Sequence, residues 1–359
     1  GSAATNTAET DTWAEMTAAQ KAAVKKVLDR YSEVSGITFT EVIEAGSTVG
    51  TLRYGTYRSD TDGNSGYARG TNLWMNRKYL ESYATIDEGT RPFNTVLHET
   101  GHLMGFNHPG SNPGDNDRPW NDTDYGLTDV RTSSVMSYVY RTDKDTTLVE
   151  GGTVNPSTPM MWDVAALQYL YGVNHSFNAG DNVYTYDPNA PFFKNIWDGG
   201  GNDTIDISNY AFSSTINLTP GTFSSLRTRE TAPSSASTYW GNNNLSISYN
   251  VVIENAIGGS GGDTLIGNGA GNKLQGNAGN DTLTGGTGND SFAYDVSQAS
   301  GTDTITDLQV GDKLTFTRSS GSVFNLQTNL LSGGNGSGLT SGQVMVGTTT
   351  GGITTLYIG

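Results

Sequence analysis

Apolar residues recur at helical spacing near the start of the chain. Between Thr17 and Gly36 the apolar side chains that share one face are Val24, Val27, Leu28, Tyr31 and Val34. This spacing predicts an amphipathic helix that ends at Gly36. Alternation then predicts two short strands of one sheet, ITFTEV (37–42) and TLRYGTY (51–57). GYARGTNLWMN (66–76) predicts a weaker strand, because glycines interrupt it.

Two more helices are predicted further along the chain. RPFNTVLHETGHLMGF has Pro92 where a first helical turn accepts proline and Gly105 where a helix ends. PMMWDVAALQYLYG (159–172) begins with Pro159 and ends with Gly172 in the same way. Residues 110–160 are rich in Asp, Asn, Gly and Pro, so they predict mostly loop.

Helical periodicity stops after Gly172, where glycine, asparagine and aspartate begin to recur at fixed spacing. Residues 258–293 divide into four nine-residue units: GGSGGDTLI, GNGAGNKLQ, GNAGNDTLT and GGTGNDSFA. DGGGNDTID (198–206) is an isolated relative, and strand-like alternation returns in KLTFT, QVMVG and ITTLYIG. The change in pattern predicts two domains, residues 1–174 and 175–359.

Composition narrows the range of partners. The chain has 359 residues, 47 glycines and a formal net charge of −16. Such a chain repels nucleic acid, whereas its carboxylates suit hard cations when they are gathered into sites. It contains no cysteine, which excludes disulfides and thiolate metal ligands. We expect no membrane span, no classical secretion signal in the first residues, and a monomer, since coiled-coil heptads and long apolar patches are lacking.

Three of the four histidines lie in HETGHLMGFNH, residues 98–108. His98 and His102 are four positions apart, so a helix presents both imidazoles on one face. Gly105 allows the chain to leave the helix so that His108 can return as a third ligand. Three neutral ligands with an open position are typical of a catalytic zinc ion, which lowers the pKa of its bound water to about 7. Glu99 would then accept the proton of that water. The alternative is an ordinary polar helix.

These residues resemble a known group of enzymes. HExxHxxGxxH, formed here by His98, Glu99, His102, Gly105 and His108, is similar to the metzincin zinc motif, and SVMSY (134–138) resembles the metzincin Met-turn. The resemblance implies that Met136 forms an apolar floor beneath the histidines. It also implies that Tyr138 binds the metal at rest and later donates a hydrogen bond to the oxyanion.

Further motifs narrow the resemblance to the serralysins. These are secreted bacterial zinc endopeptidases of peptidase family M10B. The motifs are HPG (108–110), PMMWDVAALQYLYG and NVVIENAIGGSGGD (250–263). The resemblance implies an α+β fold: a metzincin-type protease domain with a mixed twisted sheet and long helices, then an all-β parallel β-roll and a C-terminal β-sandwich-like region. It implies extracellular location, type I secretion, a periplasmic proteinaceous inhibitor, and protein or peptide substrates lying antiparallel to an edge strand within 66–76.

The nonapeptides follow the pattern G-G-x-G-x-D-x-U-x, which predicts a turn, a short strand and an inward apolar residue: Leu265, Leu274, Leu283 and Phe292. Oxygen ligands from the turns suit structural calcium ions. Two repeats form one coil, so we expect ions between Asp263 and Asp281 and between Asn272 and Asp290, and a roll that loosens without calcium. The predicted ligands are Gly259, Gly261, Asp263, Asn268, Ala270, Asn272, Gly276, Asn277, Asp281, Gly285, Gly286 and Asp290. The second unit departs most from the pattern, which predicts a weaker site; a flexible glycine-rich linker is the alternative.

Similarity to the family implies one more calcium site at the domain junction: Asn178, Gly180, Asn182, Asp198, Gly200, Gly201 and Asp203. Glu254 is expected to cap the first turn of the roll. His175 matches no ligand spacing and is interpreted as a surface or packing residue. Asp163 is expected to cap its helix, with a hydrogen bond toward the zinc site as an alternative.

Two functions remain open from the sequence. The first is a secreted zinc endopeptidase whose calcium-binding roll assists folding and export. The second is a calcium-dependent extracellular binding or structural module whose protease domain is inactive or truncated. Glu99 favours the enzyme, because it has no evident role in the second scheme.

Overall fold

The structure is a computed structural model. It describes residues 12–45, 47–81, 85–109, 121–122, 127–128, 131–137, 154–229, 239–295, 301–317, 323–324, 330–332, 344–346 and 354–358. The chain divides into two compact units. The first contains the described residues up to Asn174 and the segment Phe192–Asn195, and the second contains His175–Pro191 and the described residues from Ile196 onward.

The first unit combines helices with a small sheet. Its described helices are α1 (Ala18–Val34), α2 (Arg77–Leu80), α3 (Arg91–Leu103) and α4 (Met161–Tyr171). Its described strands are β1 (Arg53–Tyr57), β2 (Gly66–Arg69), β3 (Asn72–Asn76), β4 (Asn121–Asp122) and β5 (Leu127–Thr128). The three long helices confirm the helix predicted from apolar spacing and the two predicted from the positions of proline and glycine. No described helix has the length and apolar character needed to cross a bilayer.

Helix α1 begins at a capping box. The Thr17 hydroxyl accepts a hydrogen bond from the Gln20 backbone N–H at 3.3 Å, and the Gln20 side chain accepts one from the Thr17 N–H at 2.9 Å. The predicted apolar face is buried except at Leu28, which is half-buried, and the Tyr31 hydroxyl on that face donates to the Leu97 carbonyl oxygen at 2.7 Å. This contact joins α1 to α3, the helix that carries the histidines.

The sheet has the order β1-β3-β2. β3 is parallel to β1 and antiparallel to β2, which leaves β2 at an edge. The predicted strand at 66–76 is therefore a hairpin of two strands, and its turn contains Gly70 at a φ of +61°. Leu73 and Met75 point into the core, while Trp74 between them is only partly buried.

The prediction of a strand at 37–42 is wrong, because residues 37–44 form no strand. Alternation predicts which side chains share a face, but a strand also needs a neighbour with a free hydrogen-bonding edge. Among the described residues the outer edge of β1 is contacted by Ala14, through an isolated bridge to Thr56, and not by residues 37–44. Ile43 is accordingly 87% exposed.

The chain after α4 forms short strands. They are β6 (Val183–Thr185), β7 (Lys194–Ile196), β8 (Thr204–Asp206), β9 (Thr215–Asn217), β10 (Phe223–Ser224), β11 (Leu245–Ile247), β12 (Asn255–Ile257), β13 (Thr264–Ile266), β14 (Lys273–Gln275), β15 (Thr282–Thr284), β16 (Ser291–Asp295), β17 (Asp303–Ile305), β18 (Lys313–Thr317), β19 (Val323–Phe324), β20 (Leu330–Ser332), β21 (Val344–Val346) and β22 (Thr354–Ile358). Most belong to two sheets, β19-β18-β16-β14-β12-β8-β6 and β20-β21-β22-β17-β15-β13-β9.

The nonapeptides build the centre of these sheets. Each repeat supplies one three- to five-residue strand, and strands two repeats apart pair in parallel, so that Leu265 lies beside Leu283 and Leu274 beside Phe292. All four of these side chains are fully buried. Parallel pairing extends upstream to β8 and β9 and downstream to β17 and β18. The second unit is thus a parallel β-roll longer than its four regular repeats.

Candidate metal-binding sites

Helix α3 positions the three histidines through its length and its sharp end. Thr90 caps its start, and Pro92 lies in its first turn, where proline is tolerated. Gly105 follows the helix at a φ of +91°, and the Phe106 N–H donates back to the Gly101 carbonyl oxygen at 3.0 Å. This left-handed turn reverses the chain, so His108 returns toward the helix.

The Nε2 atoms of the three histidines converge. His108 Nε2 lies 3.1 Å from His98 Nε2 and 3.0 Å from His102 Nε2. In the described part of the chain these histidines form the one group of at least three histidine or acidic side chains whose ligand atoms lie within 4.8 Å of one another. Ligands about 2.0–2.1 Å from a tetrahedral zinc ion are separated by about 3.3 Å, close to these distances.

Hydrogen bonds on the opposite ring nitrogens determine the tautomers. His98 Nδ1 donates to the Val135 carbonyl oxygen, and His102 Nδ1 donates to the Phe106 carbonyl oxygen, each at 2.8 Å. In a neutral imidazole the Nε2 atom then carries a lone pair. His108 can offer at most one proton to these two lone pairs. The group therefore has more acceptors than protons, which suits a cation.

Burial disfavours the protonated form of two of the three histidines. Burial is the main cause that lowers the pKa of His98 to about 3, and it also lowers the pKa of His102. Neutral imidazoles are the form that binds a metal ion. Metal binding at neutral pH would thus need no deprotonation of these two rings.

Glu99 lies between the histidine cluster and the edge of the sheet. Its side chain is 7% exposed, and it accepts a hydrogen bond from the Ala68 backbone N–H in β2. Burial raises the pKa of Glu99 to about 7, although the bond from Ala68 opposes that rise. A carboxyl group with a pKa near neutrality can both accept and return a proton.

The edge strand presents part of its backbone to this carboxylate. The Asn76 N–H donates to the Ser65 carbonyl oxygen at 2.9 Å, which sets the alternation of the antiparallel pair. By this alternation Tyr67 and Arg69 bond to β3, while the backbone groups of Gly66 and Ala68 point away from it. The outward backbone of β2 therefore lies on the same side as Glu99.

Asp163 holds the segment that precedes Tyr138. Its carboxylate accepts hydrogen bonds from the Ser134 hydroxyl at 2.7 Å, the Val135 N–H at 2.8 Å and the Met160 N–H at 2.8 Å. The last bond caps α4, and the first two hold the residue whose carbonyl oxygen orients His98. Asp163 therefore both caps its helix and makes hydrogen bonds toward the histidine site, the two roles considered from the sequence.

Met136 packs against α3 at Gly101. A side chain at Gly101 would collide with the Met136 sulfur and would lie 3.1 Å from the Tyr31 hydroxyl. Met136 is 2% exposed. Met136 thus contacts the histidine helix, and its role as an apolar floor beneath the histidines stays a prediction. Tyr138 lies outside the described residues, so its roles stay predictions.

The roll contains a ladder of carboxylates. In each step a side-chain oxygen accepts the backbone N–H of the equivalent residue one coil earlier. The pairs are Asp281 with Asp263 at 2.7 Å, Asp290 with Asn272 at 2.8 Å, Asp303 with Asp281 at 3.0 Å and Asp312 with Asp290 at 3.0 Å. The structure thus brings together the two pairs expected to share ions.

Several ladder oxygens are buried without a hydrogen-bond donor. Among the described side chains these include the Oδ2 atoms of Asp203, Asp281 and Asp290. Burial is the main cause that raises the pKa of Asp281 to about 8; the charges of Asp303 and Asp263 contribute to this rise, and the hydrogen bond from the Asp263 N–H opposes it. A buried carboxylate that lacks a donor is costly unless a cation approaches it. Gly276 and Gly285 leave room here, since a Cβ at either position would collide with Asp281 or Asp290.

The remaining repeat glycines and asparagines lie in the same turns. The Gly259 N–H donates to Asp263 Oδ2 at 2.6 Å, and Gly261 lies against Phe212 and Ser213. Asn277 takes a φ of +66° and donates its amide to the Gly258 carbonyl oxygen at 2.6 Å. A Cβ at Gly286 would collide with the Asn268 carbonyl.

The residues predicted at the junction also approach one another. Asp203 Oδ1 accepts the Asn182 N–H at 2.7 Å, and Glu254 accepts the Asp203 N–H at 2.8 Å. Asp198 accepts the Gly200 N–H at 2.7 Å and the hydroxyl of Tyr184, which also accepts from the Asn178 amide. Burial raises the pKa of Asp203 to about 6, and the charges of Asp198 and Glu254 contribute to the rise. Gly201 lies against the Gly180 carbonyl, and the His175 ring lies 6.3 Å from the Trp197 ring.

Sequence reasoning missed three carboxylates that continue the ladder: Asp303, Asp307 and Asp312. Asp307 accepts the N–H groups of Gly285 and Gly286 at 2.8 Å each. DTIT at 303–306 resembles DTLT at 281–284, which was the available signal. Asp303 follows Asp281 by 22 residues, whereas equivalent residues of the regular coils are 18 apart. A search for a period of nine therefore did not find it.

Comparison with known proteins gives matches over most of the chain. The family model described as "Peptidase M10 serralysin C terminal" matches residues 163–329. Serralysin C of Dickeya chrysanthemi is 35% identical over 293 residues, which cover 73% of this chain and 56% of that protein. Metallopeptidase AprA of Pseudomonas marginalis is 32% identical over 277 residues, 71% of this chain and 55% of that protein. Serralysin of Proteus mirabilis is 31% identical over 277 residues, 68% of this chain and 53% of that protein. The chain spans about half the length of these relatives.

Proposed function

Because these matches support membership of the serralysin family, we propose that the chain is a secreted metalloprotease, specifically a zinc endopeptidase of broad specificity with a calcium-binding roll. The convergence of three Nε2 atoms beside the buried carboxylate of Glu99 carries the proposal. His98, His102 and His108 would hold the zinc ion, and the excess of lone pairs over protons supports this assignment. A bound zinc ion supplies a Lewis acid that makes water a nucleophile near neutral pH.

The protein side chains then move the proton. Glu99 accepts a proton from the attacking water and returns it to the amine of the cleaved peptide, which its raised pKa permits. The Ala68 N–H holds one side of the Glu99 carboxylate. The outward backbone of Gly66 and the carbonyl oxygen of Ala68 would offer an extended peptide the hydrogen bonds of an added strand, and such bonds favour broad specificity. Tyr138 is proposed to bind the metal and then the oxyanion.

The roll would hold calcium ions at the oxygens that lack donors. Carboxylate, amide and carbonyl oxygens are the ligands that calcium prefers. The unpaired Oδ2 atoms of Asp203, Asp281 and Asp290 support sites in three turns. Calcium would allow these buried carboxylates to ionise and would thereby stabilise the stacked turns.

The wider setting follows from the family and is proposed with it. We expect protein substrates, an extracellular bacterial location, type I secretion and control by a periplasmic proteinaceous inhibitor. The second candidate function, a calcium-dependent binding module with an inactive protease domain, also has a calcium-binding roll. Glu99 distinguishes the two, because its burial beside the histidines has a chemical use only in the enzyme.

The decisive experiment is casein hydrolysis by the 359-residue chain in calcium, with the zinc content measured. Glu99→Gln keeps the shape of the side chain and removes its ability to accept a proton. We expect one zinc per chain in both proteins and a loss of activity of about 10³-fold in the variant. Glu41→Gln, at an exposed glutamate, is the control and should cleave normally. If the parent holds zinc but does not cleave, the binding-module function is the better one.

A further inference from the structure

The second nonapeptide, residues 267–275, combines two buried asparagine side chains; the third repeat also has an asparagine at the first of these positions, Asn277, but it is only partly buried. Asn268 lies where the first and fourth repeats have Gly259 and Gly286, and Asn272 lies where the other repeats have aspartate. Asn272 is 2% exposed and Asn268 is 9% exposed. The two residues bring two amides, each with two N–H donors, into a turn that lacks the carboxylate present at the position of Asn272 in the other repeats.

The Asn268 amide reaches the turn that precedes it in the same sheet. Its Nδ2 donates to the Ile253 carbonyl oxygen at 2.8 Å and to the Leu218 carbonyl oxygen at 3.1 Å. Its Oδ1 accepts the Ala270 N–H at 2.9 Å. Both donors and the acceptor of this side chain are therefore used.

Asn272 completes the same network. Its Nδ2 donates to the Glu254 carbonyl oxygen at 3.0 Å and to Asn268 Oδ1 at 3.1 Å. Its Oδ1 accepts the Asn268 N–H at 2.8 Å. The two amides thus saturate each other and three carbonyl oxygens of earlier turns, which makes this a closed network of buried hydrogen bonds.

The next coil of the same column is different. Asp290 accepts the Asn272 N–H with Oδ1, while its Oδ2 is buried without a donor among the described residues. The unpaired Oδ2 of Asp290 needs a positively charged partner. Between the Ile253–Glu254 turn and the second repeat, the N–H groups of the two amides already donate to the backbone oxygens. Successive turns on this side of the roll are therefore held in two ways: by amide hydrogen bonds at the second repeat, and by a carboxylate that needs a cation at Asp290.

We propose that the Asn268 and Asn272 amides replace a calcium ion between the Ile253–Glu254 turn and the second repeat, so that this step of the roll is formed without calcium. The inference rests on the calcium binding proposed above. It replaces the sequence expectation that Asn272 is a calcium ligand. The carbonyl oxygens of Asn268 and Ala270, which face Gly286 and Gly288, stay available to an ion at Asp290.

The test compares two variants at the same position of successive turns, Asn272→Ala and Asp290→Ala, in the full chain. Bound calcium is measured by equilibrium dialysis, and the thermal midpoint of the roll is measured in calcium and in calcium-free buffer. Asn272→Ala should keep the parent's calcium count and lower the midpoint in both buffers by at least about 4 °C. Asp290→Ala should lose one calcium ion and lower the midpoint much more in calcium than in calcium-free buffer, where only its hydrogen bond to the Asn272 N–H is lost.

Two further variants complete the design. Asn289→Ala removes an exposed asparagine of the neighbouring repeat and should change neither quantity. Asn268→Gly introduces the residue that two other repeats already have, so it keeps the test valid if Asn272→Ala fails to fold, and it should behave as Asn272→Ala does.

The outcomes separate this inference from the calcium proposal. Loss of one ion in Asn272→Ala or Asn268→Gly, or destabilisation by them that disappears without calcium, would overturn the inference alone. A parent chain that binds no calcium would overturn the calcium proposal and the inference with it.

Discussion

The histidine site and the β-roll hold their metal-binding groups in opposite ways. At the histidine site the outer ring nitrogens of His98 and His102 are hydrogen-bonded to carbonyl oxygens, and Asp163 fixes the turn that contains one of them. In the roll, Asp203, Asp281 and Asp290 keep buried oxygens without donors among the described residues. Protein hydrogen bonds hold the first scaffold, whereas under the calcium binding proposed above a cation would complete the second.

The difference follows from the size of the elements. Helix α3 has 13 residues, satisfies its own backbone and buries most of its length. A typical strand of the roll has three residues and contributes one inward side chain, such as Leu265. Such strands bury little apolar surface each, so the turns between them must contribute to stability. Metal removal should therefore affect the two regions unequally.

Calcium removal is the prediction with the largest expected effect. In calcium-free buffer we expect β15 and β16 to lose most of their protection from hydrogen exchange, while α3 keeps its protection. Removal of zinc with a zinc-selective chelator in calcium should leave both regions protected. Mass spectrometry of peptides from each region provides the measurement. Equal loss of protection in α3 and β16 without calcium would contradict the comparison.

Substitution of Asp163 tests whether the histidine scaffold is completed by protein groups. Asp163→Ala removes the acceptor for Ser134 and Val135 and frees the carbonyl that orients His98, so zinc affinity should fall about tenfold. Asp163→Asn is the matched control, because it keeps the shape and one carbonyl acceptor, and it should change the affinity only a few-fold. Competition with a chelator of known affinity gives both values. Unchanged zinc affinity in Asp163→Ala would show that Val135 is held by other contacts.

The pH dependence of the calcium-free roll is the smallest predicted effect. Burial raises the pKa of Asp281 to about 8 and the pKa of Asp263 and of Asp303 to about 6. A carboxyl group whose folded pKa is raised stabilises the fold at low pH, and this contribution is lost as pH rises through the folded pKa. The calcium-free thermal midpoint should therefore fall by a few degrees between pH 5 and pH 8.5. Saturating calcium should remove this trend; a midpoint that rises over this range without calcium would contradict the assignment.

Local spacing was enough to predict much of the histidine site. The four-residue separation places His98 and His102 on one face of any helix, and the glycine at 105 allows the helix to end there. Neither feature depends on distant parts of the chain. The period of nine similarly predicted the inward row from Leu265 to Phe292 and the neighbours Asp263 and Asp281. The link from Asp163 to His98 could only be left open, because it runs through the Val135 backbone.

What the sequence determined by itself was periodic: which residues share a helix face, which point inward in each repeat, and which turns contain carboxylates. Tertiary structure alone decided what depends on partners distant in the chain. Residues 37–44 lack a strand because no described neighbour pairs with them, and Asn268 saturates carbonyl groups of Leu218 and Ile253. Side-chain periodicity is a local property, whereas hydrogen-bond saturation, and with it the need for a cation, belongs to the assembled fold.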